Sequence, residues 1–507
     1  MDCSVKKQQI SVQKLFADLF DERPLDCDFV LPEYMPDVAT VLKSTMTPMV
    51  QSKQRSGERL LVEGTVTVRT LYLDEGRRCV RSCEFSQPFS SSFLLKEVPD
   101  DVWVTVSAKS DYINCRAVSP RRLDAHGAFT VKAKVFGTQR EEIVSGIEGE
   151  SLYTKSETVR FSVPAAYIEK CFSVNETAEL DVSAPPAEFI VRSEATAVVQ
   201  ECRKMNGKAI LKGEISAQVL YCSDALQGTL HRISRRFPFS QLVDVEGMRE
   251  DWWCEAGAEV TSCDIHAGQN QNGENTLLTV SVKLCAFIEC YQEDQAQLVT
   301  DAYSCLAEME LTGCRAMPQR LLWMQGKSDT LRQTVEMPSQ EAIEVLDLWA
   351  QVMPAGIEYE REQTVFSARV MLCMLVRERD GQISYYERVA DYTDTVPVAC
   401  DAAQWRITAP CCTFSVTGDG RVELCIDLDM SHRCYVNEQY GALAQAQLKQ
   451  TPYPADAAAI RICFVGAGET VWDIAKRCRT CPERIREENG LSDDVLGEDT
   501  MLLIPLC

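Results

Sequence analysis

The sequence has little of what enzymes and membrane proteins need. It holds four histidines in 507 residues. It contains no HExxH, no GxSxG and no GxxxxGKS/T stretch. Those gaps exclude the common zinc peptidase, α/β-hydrolase and P-loop nucleotide sites. No uninterrupted apolar run reaches membrane-spanning length. The opening MDCSVKKQQ has no apolar signal core, so the expectation is a protein made and kept in the cytosol. Positive charge is also short: 52 Lys and Arg against 75 Asp and Glu give a net charge of −23. Such a field repels phosphate backbones and anionic lipid, which argues against nucleic acid and membrane surfaces as partners.

What is present reads as globular. Hydrophobic residues make up 45% and charged residues 25%. The length suggests three to five domains at roughly 100–200 residues each. Cysteine is abundant, at 24. Several sit inside strand patterns (Cys285, Cys373, Cys425), so the expectation is reduced, buried thiols serving as small apolar residues. Cys478-Arg-Thr-Cys481 is a lone CxxC, and a structural metal site wants a second pair. No catalytic residue, metal or cofactor is expected, and the protein is read as a non-enzyme.

The chain repeats itself. Residues 60–72, LLVEGTVTVRTLY, match 210–221, ILKGEISAQVLY, with Gly64/Gly213 and Tyr72/Tyr221 on one alternation phase. A third copy runs Phe366, Ala368, Val370, Leu372, Met374, Val376. Period-2 alternation makes each a half-buried strand. Trp103, Trp252/Trp253 and Trp405 open a later strand in each copy. An alternating strand closes each copy, at 129–135, 278–284 and 422–428. Each copy also opens with an apolar stretch and a proline, and a short helix is expected there, at 31–42, 184–195 and 337–348. Pro32, Pro185 and Pro338 are spaced by 153 residues both times.

The expected fold class is multidomain and mainly β: three repeated sandwich- or barrel-like modules with short helices, plus a small C-terminal domain. The expected layout is an amphipathic helix at 1–24 (Ile10, Val12, Leu15, Phe16, Leu19 and Phe20 on one face), module one at 25–145 and a connector at 146–177. Module two follows at 178–295, a connector at 296–330 and module three at 331–437. Both connectors are read as a strand followed by a short helix. Residues 438–459 are read as a linker, since Ala, Gln and two prolines dominate there.

Residues 460–507 carry the most specific pattern. A short strand leads to Thr470, placed to cap a helix with Asp473 reaching back. Pro482 suits the start of a second helix, Gly490 its left-handed stop, and Met501–Ile504 a returning strand. The order is β-α-α-β. It resembles the LysM domain, through Gly468, Glu469, Thr470, Val471, Trp472, Ile474, Ala475, Asn489, Leu491 and the closing Leu503-Ile504-Pro505. The resemblance implies binding of N-acetylglucosamine glycans such as peptidoglycan. It implies a groove formed by Gly468, Glu469, Thr470 and Val471 on one side and Asn489, Gly490, Leu491 and Ser492 on the other.

The whole chain resembles the spore-coat morphogenetic proteins of the SipL type, in which SPOCS domains precede a LysM. LPEYMPDVATVL followed by VEGTVTVRTLY is the SPOCS-like stretch. That resemblance implies a mother-cell protein at the forespore surface that helps the coat encase the forespore. It also implies a LysM that binds a coat-basement ATPase of the SpoIVA type, a glycan, or both. The alternative reading is a glycan-binding protein of the cell wall or spore cortex.

Overall fold

A computed structural model describes residues 3–99, 101–336, 342–416, 421–454 and 459–505. Module one consists of β1 (Ser4–Val30), β2 (Val38–Ser56), β3 (Arg59–Asp74), β4 (Val80–Leu94), β5 (Val102–Ser119) and β6 (Arg122–Glu148). They form two antiparallel sheets, β2-β3-β4 and β1-β6-β5. Module two repeats this with β7 (Leu152–Glu179), β8 (Phe189–Met205), β9 (Lys208–Asp224), β10 (Thr229–Asp244), β11 (Trp253–Gly268) and β12 (Leu277–Ser304). Its sheets are β8-β9-β10 and β7-β12-β11.

In module three the counterparts of β1 and β6 are each split in two. It has β13 (Ala307–Ala316), β14 (Gln319–Glu336), β15 (Ala342–Tyr359), β16 (Thr364–Glu378), β17 (Ile383–Val396), β18 (Ala402–Val416), β19 (Arg421–Asn437) and β20 (Tyr440–Pro452). Its sheets are β15-β16-β17, β14-β19-β18 and the pair β13-β20. In each module the apolar faces of two sheets meet. Val62, Val66, Val68 and Phe89 face Phe129, Val131 and Val135 in the first. Ile215, Val219 and Phe239 face Val280, Val282 and Leu284 in the second. Val370 and Leu372 face Leu424, Ile426 and Leu428 in the third.

The repeat shows in atomic detail. Tyr72 donates its hydroxyl to the Pro36 carbonyl, and Tyr221 donates to that of Pro185, both at 3.2 Å. The structural equivalent of Pro185 is therefore Pro36, not Pro32. Pro338 lies outside the described residues. Gly64 and Gly213 lie under Phe89 and Phe239 of the neighbouring strand. A Cβ at either would sit 2.2 Å from a backbone carbonyl, of Met49 or Val198, so only glycine fits. Module three has Ala368 opposite Tyr392 at that place.

Four expectations need correction. From Ser4 on, the helix expected at 1–24 is instead β1, paired with β6 along the strand's whole length. The connectors at 146–177 and 296–330 are all strand and turn, mostly β7, β13 and β14. The supposed linker contains β20, paired with β13. β1, β7 and β14 are outer strands of the second sheets, β13 extends β14, and β20 extends the central β19. The helix-like spacing in β1 comes from a bulge: Leu15 opposes Phe136 and Ala17 opposes Val135, leaving Phe16 over. Inward positions are even before it (Ile10, Val12) and odd after it (Ala17, Leu19), which imitates a 3.6 period. β7 skips Ala165 and β14 skips Leu322 in the same way. The short helices expected at 31–42 and 184–195 are also absent. A turn closes from Met35 N–H to the Pro32 carbonyl, another from Ala184 to Asp181, and strands follow. Residues 342–348 are strand as well.

The three modules close on one another. Leu71, Leu220 and Leu375 stand seven residues after Gly64, Gly213 and Ala368, and they share one apolar cluster, as a threefold arrangement requires. Beside it, fully buried Asp347 of β15 accepts from Arg192 Nε of β8 at 2.7 Å and Arg232 Nε of β10 at 3.1 Å. Glu255 and Glu289 of module two hold Arg433 of β19 at 3.0 and 2.6 Å. Burial works to raise the Glu255 pKa, but Arg433 and Arg406 hold it below the usual carboxylate range. Module one is tied in by Lys53–Glu169 and Lys43–Glu387. Beyond the bulges, the β1–β6, β7–β12 and β13–β20 pairs run on as three arms. These pack together through Ile10, Ile143, Phe161, Leu298, Ala316 and Ala442.

Candidate functional site

The C-terminal domain comprises β21 (Ile460–Val465), α1 (Val471–Cys478), α2 (Pro482–Asn489) and β22 (Thr500–Pro505), with β21 and β22 antiparallel. These are the helices among the described residues. Thr470 caps α1 by accepting the Asp473 N–H at 3.1 Å, and its hydroxyl donates to the Asp473 carboxylate at 2.7 Å. Pro482 starts α2, and Gly490 stops it with φ +62°. Val465, Val471, Ile474, Ala475, Ile485, Leu502 and Ile504 form the core.

The residues expected to form a groove fall into two groups. The loop before α1 pairs with residues 494–496. Gly468 N–H donates to the Leu496 carbonyl, Leu496 N–H to Glu469, and Val471 N–H to Asp494. Thr470 and Val495 form a bridge. Val471 itself is fully buried, so its side chain packs rather than facing a ligand. Glu469 is held by Arg477 and by the Gly466 N–H, which together lower its pKa. Asn489 clamps α2 to β22, bonding the Ile485 carbonyl and both the N–H and the carbonyl of Leu503. Leu491 is half-buried against the core, and Ser492 is exposed. Val495 and Leu496 were not among the residues expected at the groove. Val495 is 54% exposed beside the capped helix start. An apolar residue following two acids in a loop was the available signal.

The domain is docked on the arm of module two. Asp301 of β12 accepts from Trp472 Nε1 at 2.8 Å and from Lys476 Nζ at 2.6 Å. Tyr303 donates its hydroxyl to the Thr480 carbonyl at 2.7 Å, and its ring meets Trp472 edge-on at 5.1 Å. Burial raises the Tyr303 pKa, so the hydroxyl stays a donor. Tyr303, 5% exposed, belongs to the C-terminal domain's own apolar cluster. Arg479, with φ +57°, stacks on Tyr453 just past β20. Cys478 of the CxxC lies near Cys463, 3.7 Å between sulfurs. Among the described residues no cluster of His, Cys, Asp and Glu could hold a metal ion. Among them, too, no helix is long and apolar enough to cross a membrane.

Two β modules with a matching glycine, aromatic and tyrosine pattern, and a docked βααβ domain, define a protein of repeated binding modules. Residues 37–118 and 186–267 match the family model described as SipL, SPOCS domain, and residues 465–505 match the LysM domain. The chain thus has the SipL-type order of repeated SPOCS domains followed by a C-terminal LysM. These are non-catalytic binding modules of a sporulation-related protein. Curated proteins give no match, and neither do solved structures.

Proposed function

We propose that the chain is a non-enzymatic scaffold of the bacterial spore envelope. It acts on the mother-cell side of the forespore and recruits or encases coat through its LysM. The partner chemistry that fits best is a coat-basement protein of the SpoIVA type. One observation carries this reading: the LysM is fixed to the module-two arm through Asp301 and Tyr303. A fixed mount orients a contact within an assembly, whereas a glycan tether needs no fixed orientation. The contact surface is the rim at Gly468, Glu469, Thr470, Ser492 and Val495, with Asn489, Gly490 and Leu491 shaping it and Val471 supporting it from below. The second reading, a peptidoglycan-type ligand at the same rim, is favoured by the LysM match itself.

The test compares the full chain with Val495→Glu and Ser492→Arg. Binding to the basement protein and to N-acetylglucosamine oligomers is measured in parallel. The scaffold reading expects protein binding to fall at least about tenfold with the fold intact, roughly 1.4 kcal/mol. Oligomer binding without protein binding replaces it with the glycan reading. Unchanged binding of both ligands removes the rim assignment.

A further inference from the structure

The central strand β12 carries two cysteines that lie directly opposite cysteines on its neighbours. Cys285 pairs in register with Cys171 of β7, and Cys290 pairs with Cys254 of β11. Their sulfurs are 2.7 and 2.6 Å apart. Directly opposed residues of an antiparallel pair have Cα atoms about 4.5–5.5 Å apart, within the span that a disulfide bridges. All four are free thiols here.

We propose that β12 holds two modification sites, each a cross-strand thiol pair that a hydroperoxide converts to a disulfide: Cys171–Cys285 and Cys254–Cys290. Access differs between the two. Cys171 is exposed, and Cys285 lines a cavity of about 470 Å³ where the three modules meet. Cys254 is half-buried and lines a second cavity, whereas Cys290 is fully buried beside Ala286 and Ile288. The accessible member of each pair attacks and the covered one resolves. The contact with Cys290 also lowers the Cys254 pKa, which favours the attacking thiolate there. By contrast, Cys79 and Cys222 approach only to 3.9 Å, and both are fully buried in the intermodule cluster.

The chemistry balances with hydrogen peroxide as the two-electron oxidant. The Cys171 thiolate attacks a peroxide oxygen, the O–O bond breaks, and a sulfenic acid forms. The departing hydroxide takes a proton and leaves as water. The Cys285 thiolate then attacks the sulfenic sulfur. The S–S bond forms, the S–O bond breaks, and a second water leaves. Two thiols and one peroxide become one disulfide and two waters. Cys254 and Cys290 follow the same course. The products pin β12 to both neighbours, on opposite faces of the sheet that carries the LysM arm.

The test treats the native full-length chain with limited hydrogen peroxide. It is then quenched in acid, free thiols are alkylated and linked peptides are mapped by mass spectrometry. The expected result is loss of four of the 24 thiols, with 171–285 and 254–290 as the dominant links. The same treatment of the denatured chain scatters the links. Cys171→Ser should abolish the first link, leave Cys285 a free thiol and leave the second link in place. The proposal is overturned if the native chain stays reduced, if these cysteines go to sulfinic acid without bridging, or if other pairs link as often. It is also overturned if Cys285 of the Cys171→Ser chain bridges elsewhere to the same extent. None of these outcomes depends on what the LysM binds.

Discussion

The three modules are held to one another differently from the way the LysM is held to them. Between modules, apolar equivalents such as Leu71, Leu220 and Leu375 pack around charges removed from water. Asp347 is fully buried between Arg192 and Arg232, and Glu255 and Glu289 enclose Arg433. The LysM instead rests mainly on Asp301 and Tyr303 at the end of an arm, with Tyr153 and Tyr453 beside them. Buried charge that loses a partner is far more costly than a partly exposed contact that opens. The body should therefore fail as a unit and the LysM should come loose first.

The comparison breaks most visibly at Asp347. Asp347→Ala leaves two guanidinium groups short of their carboxylate. We expect about 3–5 kcal/mol of lost stability, read as an earlier denaturant midpoint for the whole body. A change confined to module three would mean that the modules unfold separately. Gly213→Ala comes next. Its methyl would meet the Val198 carbonyl and the Phe239 ring, costing about 1–3 kcal/mol by overpacking. Gly381, with φ +84° in an open turn, is the control for backbone conformation without crowding. On the LysM side, Trp472→Phe keeps an aromatic ring but deletes the donor to Asp301. The expected loss is about 1.5–3 kcal/mol of docking, seen as a separate early LysM transition with the body's midpoint unchanged.

The smallest effect is one of pH. His432 is buried, with Nε2 3.2 Å from the Asp394 carboxylate, and burial lowers its pKa below 6.5. The folded state then binds fewer protons than the unfolded chain. Stability from this group is complete above pH 6.5 and is lost as pH falls below it. Denaturation curves from pH 7.5 to 5 should show that slope, and His432→Gln should flatten it.

Much of the fold was legible where alternation runs unbroken. The stretches 60–72 and 210–221, with Gly64, Gly213, Tyr72 and Tyr221, pointed to β3 and β9 directly. The outer strands were not legible, because a bulge at Phe16, Ala165 or Leu322 reverses the phase midway. β20 was hidden by its composition: Ala442, Leu443 and Ala446 are buried, but small residues give a weak signal. In the LysM, the caps Thr470 and Gly490 were legible because they are local. The spacing of Val471, Ile474 and Ala475 marks the buried stripe of α1, but that Trp472 faces Asp301 depends on residues far away in sequence, which periodicity cannot show.

The central claim is that the LysM works from a fixed mount on an interlocked body. Peptide-resolved hydrogen exchange of the full chain and of Asp301→Ala tests it most directly. The account predicts that residues 299–305 and 471–480 lose protection together in the variant, while β3, β9 and β16 keep theirs. Unchanged exchange in 471–480 would contradict the mount, and loss of protection across all three modules would contradict the separation between mount and body.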